Sequence, residues 1–587
     1  MKKFLYSFLG TMAGIWVSVI LLGVLFFMTI GALVMSSKDG TPFSMKDDSV
    51  LHIVLSGEVT DRETPISLRS QLLNDTDPML SLSQLVDAIN AAKEDKNIDG
   101  IFLDCRGASM GAAQAQTLVT ALNGFKESGK WIYSYADTYS QAEYFVASSA
   151  DSVFVNPVGM IDIHGLQATT MYYKELLDKI GVNMQVVKVG TYKSAVEPFL
   201  LNDMSDANRE QQTVFLGSIW EVMKKSIADR RKVSPDSVNS WANTFAFAKQ
   251  SDFYLKNKIV DGVKYRHEVE EMLADETGVA DEPRLVSVSD YLTVAKSPLR
   301  KLSGKGKNIA VLYALGDITE SGTEGITSEQ MVPVILKLAK DKNVDGLILR
   351  VNSGGGSAYA SEQIWEALEQ YKKISGNPFY VSMSDMAASG GYYISCGADK
   401  IYAEPMTLTG SIGIFGMIPD FKPLMKDKLG VSTFTISTNT GSMPSVFQPM
   451  TEQQRAAMQG YVNQGYELFV KRCANGRKKS VDQIKAIAEG RVWDGTTALK
   501  IGLVDKLGGL QMAIDDMAKA LGTDNYRITD YPDVNTKWWE MLLEMDSEMQ
   551  GIADDSGLRA AYMMSKAYRQ LRDMSPLQCR TNYIRLH

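Results

Sequence analysis

The sequence predicts an α/β protein built from two tandem copies of one domain and preceded by a membrane-spanning helix. Three observations carry this. The stretch Asp95-Lys-Asn-Ile-Asp-Gly100, followed by Ile-Phe-Leu-Asp104, returns 246 residues on as Asp341-Lys-Asn-Val-Asp-Gly346, followed by Leu-Ile-Leu-Arg350. Tyr144-Phe-Val-Ala-Ser-Ser-Ala-Asp151 returns as Tyr392-Tyr-Ile-Ser-Cys-Gly-Ala-Asp399 at an offset of 248. Within each copy, short apolar runs alternate with amphipathic stretches of ten to fifteen residues, the pattern of α/β units with largely parallel sheets.

The elements follow in order. Lys2 and Lys3 precede a run from Phe4 to Ser37 that holds no Asp, Glu, Lys, Arg or His. A secretory signal has an apolar core of about 7–15 residues and a small-residue cleavage site. This run is far longer, and about 20 apolar residues already span a bilayer, so residues 4–37 are expected to be an uncleaved anchor. The basic N-terminus favours an N-in orientation, placing the rest of the chain outside the cytoplasm. In the first copy (45–295), strands are expected at Val50–Leu55, Asp99–Cys105, Trp131–Tyr135 and Val153–Val155. Helices are expected at Leu80–Lys93, Ala112–Lys126, Ser140–Ser149 and Asn208–Arg231. Residues 296–307, with Lys296, Arg300, Lys301, Lys305 and Lys307, read as a solvated linker. The second copy (308–525) repeats the order, with strands at Ile309–Tyr313, Gly346–Val351, Phe379–Met383 and Ile401–Ala403. Its helices are expected at Ser328–Ala339, Ser361–Lys372, Ala387–Cys396 and Glu452–Lys471. Residues 526–587 read as an unmatched extension with an amphipathic stretch from Lys537 to about Met574.

At 587 residues, 45% apolar and 22% charged, the chain has the composition of ordinary globular domains. A net charge of -8 argues against a nucleic-acid partner. Four cysteines without a Cys-x-x-Cys pair and four scattered histidines argue against a zinc site, and no cofactor is expected. The cysteines read as buried apolar side chains.

The copies have lost complementary things. Only the second holds Ser353-Gly-Gly-Gly-Ser357 and Ala388-Ser389-Gly390-Gly391; only the first holds Gly190-Thr-Tyr-Lys193-Ser194. Ser389 falls where a predicted strand gives way to a helix, the setting of a nucleophile turn, although a serine there is also an ordinary helix cap. The glycines after Arg350 can offer unhindered backbone N–H donors to an oxyanion. A serine nucleophile needs a base, and the second copy holds no histidine before His587. Lysine is the other option. An ordinary lysine, with a pKa near 10.4, is neutral in about one molecule in 2,500 at pH 7, a penalty of ~4–5 kcal/mol; burial among apolar groups reduces it. Lys193 stands among small and apolar neighbours. By offset, Ser389 falls opposite Gln141, Gly354–Gly356 opposite Ala108–Met110, and the Lys193 region opposite Asn439-Thr-Gly-Ser442, which holds no lysine. One composite site per chain is what these losses allow.

These motifs, with Thr409-Gly-Ser411-Ile-Gly413, resemble the long, duplicated, membrane-anchored signal peptide peptidase A type (protease IV, peptidase family S49) of the crotonase/ClpP-like superfamily. The resemblance implies Ser389 as nucleophile, Lys193 as general base, Ser411 as the group that orients the lysine, and Gly355, Gly356 and Gly390 as oxyanion donors. The chain departs from the family in having Gly354 where proline is usual. The resemblance also implies a bacterial inner-membrane protein with its catalytic domains on the periplasmic side. Its expected substrates are cleaved signal peptides and other short or unfolded peptides, and its expected assembly is a ring-shaped homotetramer. Two other classes compete: acyl-CoA chemistry, which needs neither Ser389 nor an anchor, and a catalytically dead crotonase-like membrane scaffold.

Overall fold

The computed structural model describes residues 43–63, 80–280, 282–295, 306–322, 324–532 and 578–580, with three isolated positions at 14, 18 and 21. The rest of the expected anchor, linker residues 296–305 and the amphipathic stretch from Lys537 lie outside the described residues. Among those described, no helix is long and apolar enough to cross a membrane.

The first repeat runs β1 (Ser49–Leu55), β2 (Val59–Thr60), β3 (Leu80–Ser81), α1 (Leu82–Glu94), β4 (Ile98–Cys105), α2 (Ala112–Lys126), β5 (Trp131–Tyr139), α3 (Gln141–Ala147), β6 (Ser152–Ile161), β7 (Asn183–Lys188), α4 (Asp206–Arg231), β8 (Gly262–Val263) and β9 (Arg284–Ser287). The second runs β10 (Lys307–Leu315), β11 (Ile318–Thr319), β12 (Ile326–Thr327), α5 (Ser328–Lys340), β13 (Gly346–Ser353), β14 (Gly355–Ser357), α6 (Ala358–Ser375), β15 (Phe379–Ala388), α7 (Gly390–Ser395), β16 (Lys400–Ala403), β17 (Leu408–Gly410), β18 (Phe415–Asp420), α8 (Glu452–Gly476), β19 (Val492–Asp494), β20 (Lys506–Leu507) and β21 (Tyr526–Tyr531). A short strand, β22 (Gln578–Arg580), follows.

The central strands are continuous apolar runs because helices cover both faces of their sheets. Ile101, Phe102 and Leu103 of β4, and Leu347, Ile348 and Leu349 of β13, are all buried. Each repeat starts these helices with the same device. Ser81 caps α1 and Thr327 caps α5, each accepting from a backbone N–H three residues on; Ser205 and Thr451 do the same for α4 and α8.

The first repeat's sheet has the order β8-β6-β5-β4-β1-β9, parallel throughout. The second repeat builds the corresponding core β15-β13-β10-β21, also parallel, and adds β17, β16, β20 and the antiparallel β19. A third sheet, β12-β11-β14-β22-β18-β7, draws strands from both repeats.

Four sequence expectations change. Residues 526–531 are not an unmatched extension: β21 pairs with β10 as β9 pairs with β1, closing the second sheet's edge. Lys307 belongs to β10, ion-paired with Asp345 at 2.8 Å, and not to the linker. The helix expected from Ala387 begins at Gly390, because Ala387 and Ala388 continue β15 and pair with β17. At the turn before α3, Ser140, and not Gln141, stands where Ser389 stands before α7. Ser140 keeps ordinary cap geometry and its hydroxyl donates to Glu143. The buried Glu143 carboxylate also accepts from the Gly107 and Ala108 N–H groups, so the first repeat fills its own loop donors with a side chain.

Candidate active site

The parallel pairing of β15 with β17 sets Ala388 beside Gly410, so the residues that follow, Ser389 and Ser411, emerge side by side. Both are non-glycine residues at positive φ (57° and 52°), a strained conformation that surrounding structure must enforce. Here it is enforced by backbone bonds: Ser389 N–H donates to Gly410 C=O at 2.8 Å, and Ser411 N–H to Arg491 C=O at 2.7 Å. Ser389 then opens α7, with Tyr393 N–H donating back to its carbonyl.

Lys193 arrives from the other repeat. β7 pairs antiparallel with β18, from Asn183 opposite Asp420 to Lys188 opposite Phe415, and Val189 N–H extends the pairing to Ile414 C=O. The loop beyond β7 then turns the lysine onto the serines. Its Nζ lies 2.6 Å from Ser389 Oγ, 3.1 Å from Ser411 Oγ and 3.2 Å from the Ser411 carbonyl oxygen. All three residues are buried. The stem of Lys193 runs past two glycines for a steric reason. A Cβ on Gly490 would lie 2.7 Å from Lys193 Cβ, and one on Gly413 would lie 3.3 Å from its Cδ.

Gly355 and Gly356 open β14, both at positive φ. A Cβ on Gly390 would meet Gly355 Cα at 3.1 Å and Gly356 N at 3.2 Å, so the three glycines expected as oxyanion donors converge beside Ser389. The Gly355 N–H donates to Ser353 Oγ at 3.1 Å, a bond that must yield before it can reach an oxyanion. β22 lies antiparallel on β14, Gly355 opposite Arg580, and touches β18 at Phe415 opposite Gln578. The chain's own C-terminal strand thus occupies the slot between the glycine strand and the strand after Ser411.

Sequence reasoning missed a polar cluster from both repeats beneath this loop. Arg350, buried, donates to Asp61 Oδ1 through Nε and Nη2 at 3.0 and 2.7 Å, and to Ser382, Ser384 and the Met383 carbonyl. Asn352 Nδ2 donates to Asp61 Oδ2 at 2.7 Å, while Met386 N–H donates to Asn352 Oδ1 at 3.2 Å. Asp61, from the first repeat, therefore holds the strand leading into the glycine loop. Asp385 Oδ1 accepts from the Ala113 and Gln114 N–H groups at the start of α2. Burial first, then the Asp61 charge, push its carboxyl up to about 6 against the lowering effect of those amides and Arg350. Glu404, which accepts from Thr117 of α2, is pushed up to about 6, mainly by burial. Also unforeseen was Arg491, which donates to Glu210 and to the Tyr192 hydroxyl and lies over the Tyr192 ring, tying the lysine loop down. Its neighbours Glu489 and Gly490 both have positive φ, and the sequence signal for that turn was Glu489-Gly490-Arg491.

The profile of peptidase family S49 matches residues 124–280 and 371–524, one region in each repeat. Protease 4 of Haemophilus influenzae is 35% identical over 533 residues, covering 87% of this chain and 85% of that protein. A chloroplastic serine protease SPPA of Arabidopsis thaliana is 28% identical over 532 residues, covering 87% of this chain and 76% of its own. Among solved structures, a point mutant of ClpP1 from Listeria monocytogenes matches 35% of this chain and 94% of its own at 16% identity. The TM-score of that match is 0.24. A serine and a lysine brought into contact from two S49 regions of one chain, and similarity to Protease 4 along most of both lengths, leave one conclusion: the chain belongs to peptidase family S49 and is a serine peptidase.

Proposed function

We propose that this peptidase is a membrane-anchored endopeptidase with a Ser389–Lys193 dyad that degrades cleaved signal peptides and other short or unfolded peptides. The observation that carries the reading is the 2.6 Å approach of Lys193 Nζ to Ser389 Oγ. A neutral amine has one lone pair and two N–H groups, matching the three oxygens around Nζ. The lone pair takes the Ser389 proton as Oγ bonds to the substrate carbonyl carbon; the N–H groups donate to the Ser411 hydroxyl and carbonyl and hold the amine in place. Gly356 and Gly390, with Gly355 once released from Ser353, donate to the carbonyl oxygen as it gains charge. The ammonium then gives its proton to the leaving amine as the C–N bond breaks. In the second half, Lys193 takes a proton from water, the hydroxide displaces Ser389 from the acyl carbon, and Oγ recovers its proton. Burial of the amine favours the neutral form this cycle requires.

The slot held by β22 supports a peptide bound as an antiparallel strand between β14 and β18, with backbone bonds giving affinity whatever the side chains. The uncharged run from Phe4 to Ser37 behind Lys2 and Lys3 supports a single-pass anchor in the bacterial inner membrane, with the catalytic domains on the periplasmic side. Two crotonase/ClpP-like repeats per chain support a ring of four chains, whose chamber admits peptides and excludes folded proteins. A serine-directed acylating probe applied to the full chain tests the dyad. Wild type should label at Ser389. Ser389→Ala and Lys193→Ala should each lose labelling and peptide hydrolysis, on the order of 10⁶-fold for a member of such a unit, and Ser411→Ala should lose less. Near-normal turnover in Lys193→Ala refutes the dyad.

A further inference from the structure

Within one chain, the contact that delivers Lys193 is an exchange of strands between repeats: β7 of the first adds to β18 of the second. The duplication supplies each strand with a counterpart. Gly181-Val182 returns as Gly430-Val431, and Asp178-Lys179 as Asp427-Lys428, an offset of 249 through this region. The counterpart of β7 is Ser432–Ser437, and the counterpart of β18 is Leu166–Met171. Neither forms a strand pairing among the described residues.

Burial separates the used pair from the unused one. On β7, Val187 and Gln185 are 4% and 7% exposed, and Val187 packs into the second repeat's core. Their counterparts, Ile436 and Phe434, are 98% and 92% exposed. Two large apolar side chains standing in water at alternate positions, on a segment whose twin is a buried strand, mark a strand without its sheet. The receiving side is open as well: Asp420 on β18 is 3% exposed, and its counterpart Met171 is 67% exposed.

We infer that Ser432–Ser437 of one chain adds, antiparallel, to Leu166–Met171 of a second copy, repeating between chains the contact that β7 and β18 make within one. Transposed by 249, the intrachain register sets Ser437 opposite Leu166, Ile436 opposite Gln167, Phe434 opposite Thr169 and Ser432 opposite Met171 between copies. The contact is head-to-tail, so it repeats around a ring or along a filament; closure rests on the ring proposed above, and the strand contact does not. It assembles no second dyad. Ser442 stands where Lys193 does, and the loop amides opposite are occupied by Glu143.

Cross-linking of the full chain in detergent tests this. One chain carrying Gln167→Cys is coexpressed with a differently tagged chain carrying Ile436→Cys. Mild oxidation should give a disulfide-linked pair of twice the 64.7 kDa chain mass, and pairing Gln167→Cys with Thr435→Cys, whose side chain faces the other way, should give far less. Phe434→Glu/Ile436→Glu should reduce the light-scattering mass to a single chain while Ser389 still takes the acylating probe, since the site is made within the chain. A tetrameric mass without cross-linking at 167–436, or a double variant that keeps full assembly, overturns the strand contact and leaves the ring standing. A wild-type mass of one chain overturns both. Probe labelling reports separately on the dyad.

Discussion

Asp385→Asn isolates the cost of one charge at the seam between the repeats. Asp385 sits four residues before Ser389 and its carboxylate caps α2 of the other repeat; a Cβ on Gly111 would fall 2.1 Å from it. Its carboxyl is raised from 3.8 to about 6. For a raised acid, the native state binds more protons than the unfolded state between those values. The group's contribution is therefore fully present below about pH 4 and is lost as pH rises through about 6. The shift corresponds to ~3 kcal/mol at neutral pH, an upper bound because the residue keeps some exposure to screening solvent. Asparagine mimics the protonated acid, and its Oδ1 can still accept from Ala113 and Gln114. Thermal midpoints of the full chain in one detergent at pH 4.5 and 7.5 are the assay. Asp385→Asn should melt only slightly above wild type at pH 4.5 and well above it at pH 7.5, by about 2–4 °C per kcal/mol for a unit the size of one repeat. A variant that melts lower at pH 7.5, or shows the same offset at both pH values, refutes the argument that burial penalises this charge.

Three further outcomes follow from the geometry. Gly490→Ala should push the Lys193 backbone aside and strain a turn at φ 77°; a displacement near 1 Å is expected to lower kcat by about 10²-fold at unchanged assembly mass, read with a chromogenic peptide. Asp61→Ala should leave Arg350 buried without its carboxylate and cost about 3–5 kcal/mol, seen as a lower melting temperature together with lost activity. Removing residues 578–587 should raise kcat/KM on short peptides severalfold, because β22 occupies the strand slot beside Gly355; an unchanged or lower value shows that this strand does not compete with substrate.

The parallel α/β repeats were legible because their signals are local. Continuous apolar strands such as Ile101–Leu103 and helix caps such as Thr327 each depend on neighbours in sequence. The pairing of Ser389 with Lys193 was legible for a different reason: the two copies had lost complementary residues, and the motifs that remain include one serine and one lysine that meet in the structure. α7 starts later than the sequence predicts because Ala387 and Ala388, which suit a helix by propensity, stay in a strand paired with β17. Asp61 gave no signal, since it becomes significant only when Arg350 and Asn352 arrive from about 290 residues away.

What the sequence determined by itself was the periodicity, the duplication and the inventory of reactive groups, all properties of a chain read along its length. Only the tertiary structure decided the rest. It brought Lys193 within 2.6 Å of Ser389 through the β7–β18 pairing, forced Ser389 and Ser411 to positive φ, and laid β22 beside the glycine strand. Register between distant strands is set by which side chains the assembled core can bury and which backbone groups it can satisfy, and neither exists until the repeats have docked.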